Sequence, residues 1–417
     1  MDTTSQTPPR RLKFIFFPLG WLLAHVTRLV EIGKVLQERG HEVIIAGEDP
    51  DLQPRSKIGF ARKVGFRTAY AQEPLFPHAW DRFEKHGWLA SAWDILTHEN
   101  WAPLDKILES QIKLIQEEKP DMVVGDATIS VSTAAYITGI PAAGVMNGYG
   151  TRFMSATSPF MPMIRILNGV QLERLRRRVY RKHGVKPVNA FRLLKSIPMI
   201  SPDLSELYSP PKGYPNWQLV GPILAQPPVP HPEWWNELDD GKTNIYITMG
   251  STGILDSFLR RTYEALSKLP YRFVVTTAGQ ARPETIAMAP ANFRIATYAP
   301  GNELVHHCKA LIFHGGNGSM YQGLTAGLPM IGLPSHLEQK INFEVALRHG
   351  FGVQLSARHV SGAKLVKTLE RILTDPSYRE NAQRFSESVT AHDGAREAAD
   401  IIERTALEGK PAGWQLK

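Results

Sequence analysis

Leu311 to Gln339 reads LIFHGGNGSMYQGLTAGLPMIGLPSHLEQ, and this stretch narrows the choice of fold most. Leu311, Ile312 and Phe313 suit the end of a buried strand, glycines follow at 315, 316 and 318, and the apolar residues from Met320 to Ala326 have helical spacing. Strand, glycine turn and helix is the opening of a parallel α/β unit. Glycine permits positive φ and lets a ligand approach the backbone. The new helix presents unpaired N–H groups and the positive end of its dipole. Such a turn suits an anion, above all a phosphate or diphosphate. His314 and Ser319 can each add a hydrogen bond to a phosphate oxygen. A second strand, Met330 to Leu333, ends at Pro334 and delivers Glu338 and Gln339 near the same edge, where their acceptors and donors suit sugar hydroxyls.

A chain of 417 residues exceeds what one hydrophobic core organises, so two domains are expected. The single cysteine, Cys308, excludes an intramolecular disulfide and any cysteine-rich metal site, and is compatible with a reducing cytoplasm. A formal charge of +8 fits anionic substrates, an acidic membrane surface or plain solubility. No apolar run is long enough to span a membrane. The start, RRLKFIFFPLGWLLAHV, imitates a signal peptide, but Pro18, Gly20, His25 and Arg28 break the pattern. It reads as a strand entering a loop, and a cytoplasmic protein is expected.

Phe14 to Phe17 is a fully apolar strand, Val26 to Glu38 has helical spacing that Gly40 ends, and His41 to Ile45 opens a second strand. In a doubly wound sheet the ligand lies where the first strand ends, which is where His25 sits. Residues 72 to 101 interleave Phe76, Trp80, Phe83, Trp88, Trp93 and Trp101 with charges, as an acceptor pocket or as helices packing on the sheet. Asp121 to Asp126 reads as a strand ending on an acid. The apolar and basic stretch 153 to 195 suits a membrane surface or a solvated helix face. QPPVPHPE, from Gln226, is the best interdomain linker. The expected division is 1–225, a linker 226–240, a second domain 241–395, and a final helix 396–417 packing back on the first. The second domain opens with a strand, Asn244 to Thr248, and then Gly250, Ser251 and Thr252; Tyr298 and Ala299 follow a later strand.

His314-Gly315-Gly316, Ser319, Gly327-Leu328-Pro329 and Glu338-Gln339 resemble the nucleotide-sugar segment of glycosyltransferases with two Rossmann-like doubly wound domains facing across a cleft, the α/β GT-B fold. The resemblance is to the UDP/TDP-glycosyltransferase branch that includes antibiotic and plant natural-product enzymes. It implies a nucleotide-sugar donor as co-substrate, with no cofactor and no metal. The family carries a histidine in the first loop and an Asp at a nearby strand end, matched by His25 and Asp126; this chain has Ala24 before the histidine and Arg28 where proline is frequent. The resemblance implies His25 as base, with Asp126 holding its other ring nitrogen. Gly250, Ser251, Thr252, His314, Gly315, Gly316, Asn317, Gly318 and Ser319 then meet the diphosphate. Tyr298 and Ala299 contact the nucleobase, and Glu338 and Gln339 the sugar.

Such an enzyme inverts the anomeric centre, transferring sugar from a UDP- or dTDP-sugar to a hydroxyl of a small apolar or aromatic acceptor in a cleft that closes on binding. No HExxH-like ligand pattern occurs, and nucleic acid is not an expected partner. Competing expectations are a lipid acceptor with peripheral membrane contact, supported by the basic 165–182 region, a non-catalytic activator subunit, and a sugar-nucleotide epimerase.

Overall fold

The computed structural model describes residues 10–54, 56–73, 104–154, 175–225, 227–250, 252–335 and 337–409. The aromatic stretch from 74 onward and most of the basic 165–182 region lie outside the described residues.

Two all-parallel sheets organise the chain. The first runs β3 (Arg67–Tyr70), β2 (Glu42–Gly47), β1 (Lys13–Phe17), β4 (Met122–Asp126), β5 (Ala142–Val145), β6 (Met199–Ser201), β7 (Trp217–Leu219). The second runs β10 (Phe293–Ala296), β9 (Arg272–Thr276), β8 (Asn244–Thr248), β11 (Cys308–Phe313), β12 (Met330–Gly332), β13 (Gly352–Gln354). Their central strands are apolar without alternation because helices cover both faces. Phe14 and Phe16 face one core of the first domain and Ile15 and Phe17 the other.

In each sheet the chain winds outward one way and then the other, so each has one pair of adjacent strands from which the order reverses. These are β1 beside β4, with Phe17 opposite Gly125, and β8 beside β11, with Thr248 opposite Phe313. Ligands of doubly wound sheets bind outside the carboxyl ends of such strands. Asp126 closes β4 and His25 lies beyond β1 at one pair, and Gly250 and His314 follow the other.

The last helix, Gly394–Glu408, places Ala398, Ala399, Ile401 and Ile402 in the core of the first domain, against the helix Leu23–Glu38. Arg39 holds its outer face through Asp400 and Glu403, each at 2.6 Å. The proline-rich segment ends in a 3-10 turn, Trp235–Asp239, whose Leu238 is buried in the second domain. Among the described residues no helix is long and apolar enough to cross a membrane.

Candidate active site

The helices that follow the four central strands share a property that sequence spacing does not show. Leu23–Glu38, Ile129–Thr138, Leu255–Ser267 and Asn317–Thr325 start without a side-chain cap among the described residues. By contrast Gly362–Thr374, Pro376–Ala391 and Gly394–Glu408 are capped by Ser361, Asp375 and Asp393. A capping carboxylate or hydroxyl satisfies first-turn N–H groups. At the four strand ends, as at the short helices Gly59–Lys63, Pro283–Ala287 and Gly301–Leu304, its omission leaves first-turn donors for something else. The helix after β11 also starts earlier than its apolar spacing suggests, at Asn317, so Gly318 and Ser319 lie in its first turn.

On the first domain, His25 Nδ1 lies 2.8 Å from Asp126 Oδ1, with His25 nearly and Asp126 wholly buried. Arg28, one turn after His25 on the same helix, grips the carboxylate with both arms of its fork, Nε at 2.9 Å from Oδ2 and Nη2 at 2.7 Å from Oδ1. Its Nη1 donates to Asn147 Oδ1. Burial works to raise the Asp126 pKa, but Arg28 and then His25 outweigh it, so the carboxyl titrates below its ordinary value. The strand end is shaped by Ala127, which adopts a left-handed φ of 55°, and by Thr128, whose hydroxyl donates to the Phe17 carbonyl at 2.9 Å and ties β4 to β1. Left-handed backbone at a non-glycine residue is strained and clusters at functional sites.

Glu73 was not legible in the sequence. Its carboxyl accepts the Gly20 N–H at 2.6 Å and the Glu48 N–H at 2.9 Å, pinning the loop that leads to His25, and burial raises its pKa to about 7. No motif marks it, because its partners are backbone amides distant in sequence.

On the second domain, His314 sits between two glycines. A Cβ on Gly316 would come 2.2 Å from its Nε2, and one on Gly250 3.1 Å from its Cε1. Gly315 needs its φ of 87°, and a Cβ there would meet the Gln339 carbonyl at 2.9 Å. Gln339 is buried, its Oε1 accepting from the Ser335 N–H at 2.9 Å and hydroxyl at 3.1 Å. Thr252 donates to the Met249 carbonyl at 2.7 Å, tightening the turn after β8; Ser251 lies outside the described residues. Tyr298, 54% exposed, and Ala299 follow β10, two strands from β8 and therefore about 10 Å along the sheet edge.

Several second-domain residues reach the first domain, among them Glu338, Asn317 and Tyr321. Glu338 keeps some surface but is densely enclosed, which raises its pKa; the charges of His25 and Arg28 oppose this and that of Asp126 adds to it. Asn317 donates from its side chain to Asp203 Oδ1 at 2.7 Å, which ties the start of its helix to the first domain. Asp203 also accepts from Tyr321 O–H at 3.1 Å, Gly148 N–H at 2.6 Å and Ser201 O–H at 2.9 Å. Sequence reasoning did not identify Asp203, whose importance lies wholly in these contacts. Among the described residues no group of three or more His, Cys, Asp or Glu side chains is arranged to hold a metal.

Residues 260–405 match the family model described as erythromycin biosynthesis protein CIII-like, C-terminal domain. The chain is 29% identical to a PGL/p-HBAD biosynthesis rhamnosyltransferase of Mycobacterium bovis (strain BCG / Pasteur 1173P2), over 99% of this chain and 93% of the relative. It is 26% identical to 4'-demethylrebeccamycin synthase of Lentzea aerocolonigenes, over 91% and 96%. Among solved structures, the glycosyltransferase VinC in complex with dTDP superposes with a TM-score of 0.71 at 18% identity, covering 95% of this chain and 100% of that one. With paired parallel sheets, a buried histidine–aspartate pair and a glycine-cradled helix end, these likenesses make the chain a GT-B-fold glycosyltransferase, similar to natural-product enzymes and matching the erythromycin biosynthesis protein CIII-like model over residues 260–405.

Proposed function

We propose that the chain is an inverting, metal-independent transferase that moves a sugar from a dTDP- or UDP-sugar to a hydroxyl of a small, largely apolar acceptor. The observation that carries this reading is the His25–Asp126 pair at one sheet's switch point, matched by uncapped helix ends and a glycine-flanked histidine at the other's. His25 Nε2 takes the acceptor proton while Asp126 accepts from Nδ1–H and offsets the charge of the imidazolium. The freed oxygen attacks the anomeric carbon from the face opposite the diphosphate. The C–O bond to the diphosphate breaks and both its electrons leave with that oxygen. His314, Ser319 and the amides of Gly316 to Gly318 then meet the diphosphate charge, a task that a divalent cation performs elsewhere. Tyr298 and Ala299 contact the base, and Glu338 and Gln339 hold sugar hydroxyls. The likeness to a named rhamnosyltransferase and to a dTDP-bound structure supports a thymidine donor over a uridine one.

The test is a donor panel with and without a chelator, run on the wild type and on His25→Ala. Transfer that survives chelation, and falls by about 10²–10⁴-fold in the variant while nucleoside diphosphate still binds, is the expected result. Full turnover in the variant overturns the base, and a requirement for added cation overturns metal independence.

A further inference from the structure

Arg28 stands where the resembled enzymes often have proline, and its contacts are too specific for packing alone. It is buried, and its Nε and Nη2 form a planar fork on both oxygens of Asp126. Its Nη1 is fixed on Asn147, so the guanidinium is held at both ends. We propose that Arg28 is a positioning residue for sugar transfer: it clamps Asp126 in the orientation that holds His25 and keeps positive charge beside the ring that receives the proton. This rests on His25 being the base.

Two consequences follow from the hydrogen-bond geometry. Nη2 also lies 3.1 Å from His25 Nδ1, against 2.8 Å between that nitrogen and Asp126 Oδ1. Nδ1 can accept from Arg28 only when bare, and can donate to Asp126 only when it carries the proton. The shorter contact selects the second tautomer, which leaves Nε2 as the bare nitrogen able to accept a proton. The second consequence is electrostatic. Asp126 is shared between Arg28 and His25, so the cluster carries one net positive charge once His25 takes the proton, where an isolated histidine–aspartate pair would be neutral. Among the described residues, the charged and titratable groups around this cluster are Asp126 from β4, Arg28 from the first helix, Glu338 from the helix Leu337–Arg348 across the cleft, and Tyr149 from the helix Gly148–Met154. Glu338 is therefore the acidic side chain that faces the pair from the second domain, while Arg28 places a fixed positive charge beside the ring.

The experiment compares wild type, Arg28→Met and Arg28→Lys by three readouts: the pH profile of kcat/KM, the NMR titration of His25 assigned by its loss in His25→Ala, and calorimetric binding of dTDP and UDP. In Arg28→Met the His25 midpoint and the acidic limb of the profile are expected to move up together by about one pH unit, with nucleoside-diphosphate affinity unchanged. Arg28→Lys keeps the charge and loses the fork, so its midpoint stays in place while kcat falls by about tenfold or more. An unmoved His25 midpoint in Arg28→Met overturns the charge role, and wild-type kcat in Arg28→Lys overturns the clamp. Should Arg28→Met fail to fold, the lysine variant decides on kcat and midpoint alone. The NMR midpoint needs no turnover, so a shifted midpoint with an unmoved rate profile would leave the placement of Arg28 intact and sink His25 as base.

Discussion

At the scale of single residues, buried charge in this molecule is placed where it fixes loops. Glu73 holds two backbone amides, and Gly20 and Gly47 press so closely on it that a Cβ at either would come 2.2 or 2.3 Å from Oε1. Its pKa is about 7 in the folded chain against 4.5 for an ordinary glutamate. Between those values the native state binds the proton more tightly than the unfolded chain does. Stability from Glu73 is therefore fully present below about pH 4.5 and is lost as pH rises through 7, by up to about 3 kcal/mol. Urea unfolding of the wild type and Glu73→Gln at pH 5 and pH 8 measures this: the wild type's loss between the two is expected to exceed the variant's, and equal losses would refute it. The acid is invisible in sequence because desolvation depends on what surrounds a side chain, not on its neighbours in the chain.

At the scale of elements, the helix ends at the switch points give up capping stability. A lost cap costs a helix about 1 kcal/mol, and here four helices forgo it together. The glycines of the β11 turn make the same exchange, giving up backbone stability to seat His314. Gly316 is the sharpest case, since its φ of −71° suits any residue and only the 2.2 Å approach to His314 Nε2 forbids a side chain. Gly316→Ala is expected to displace His314 and weaken nucleoside-diphosphate binding about tenfold or more, while unfolding free energy drops by about 1–3 kcal/mol. Calorimetric binding beside a chemical melt checks both, and unchanged affinity would remove His314 from the diphosphate seat. The sequence marked this element correctly because its spacing is local, although the helix starts at Asn317, ahead of its apolar run.

At the scale of the whole molecule, the two domains are joined through side chains as well as through the proline-rich segment. Asp203 sits at the crossing, with partners Gly148 and Ser201 on its own domain and Asn317 and Tyr321 on the other. Burial raises its pKa, and its four donors hold that rise in check. Asp203→Ala orphans buried donors on both sides, each costing about 1–3 kcal/mol. A single cooperative melt is expected to become two, followed by calorimetry with and without dTDP; one unchanged transition would show that the tether contributes nothing. What the sequence determined by itself is whatever is encoded locally. Apolar runs without alternation gave parallel, doubly covered strands, glycine spacing gave the turn after β11, and an acid closing an apolar run gave Asp126 its place at a strand end. What only the tertiary structure decided is which distant groups meet. Arg28 read as a departure in a loop and grips both oxygens of Asp126; Asn317, expected at the diphosphate seat, also donates to Asp203 across the domains. The reason is physical: hydrogen bonds and desolvation act over a few ångströms in space, and a parallel fold brings residues about a hundred positions apart within that range.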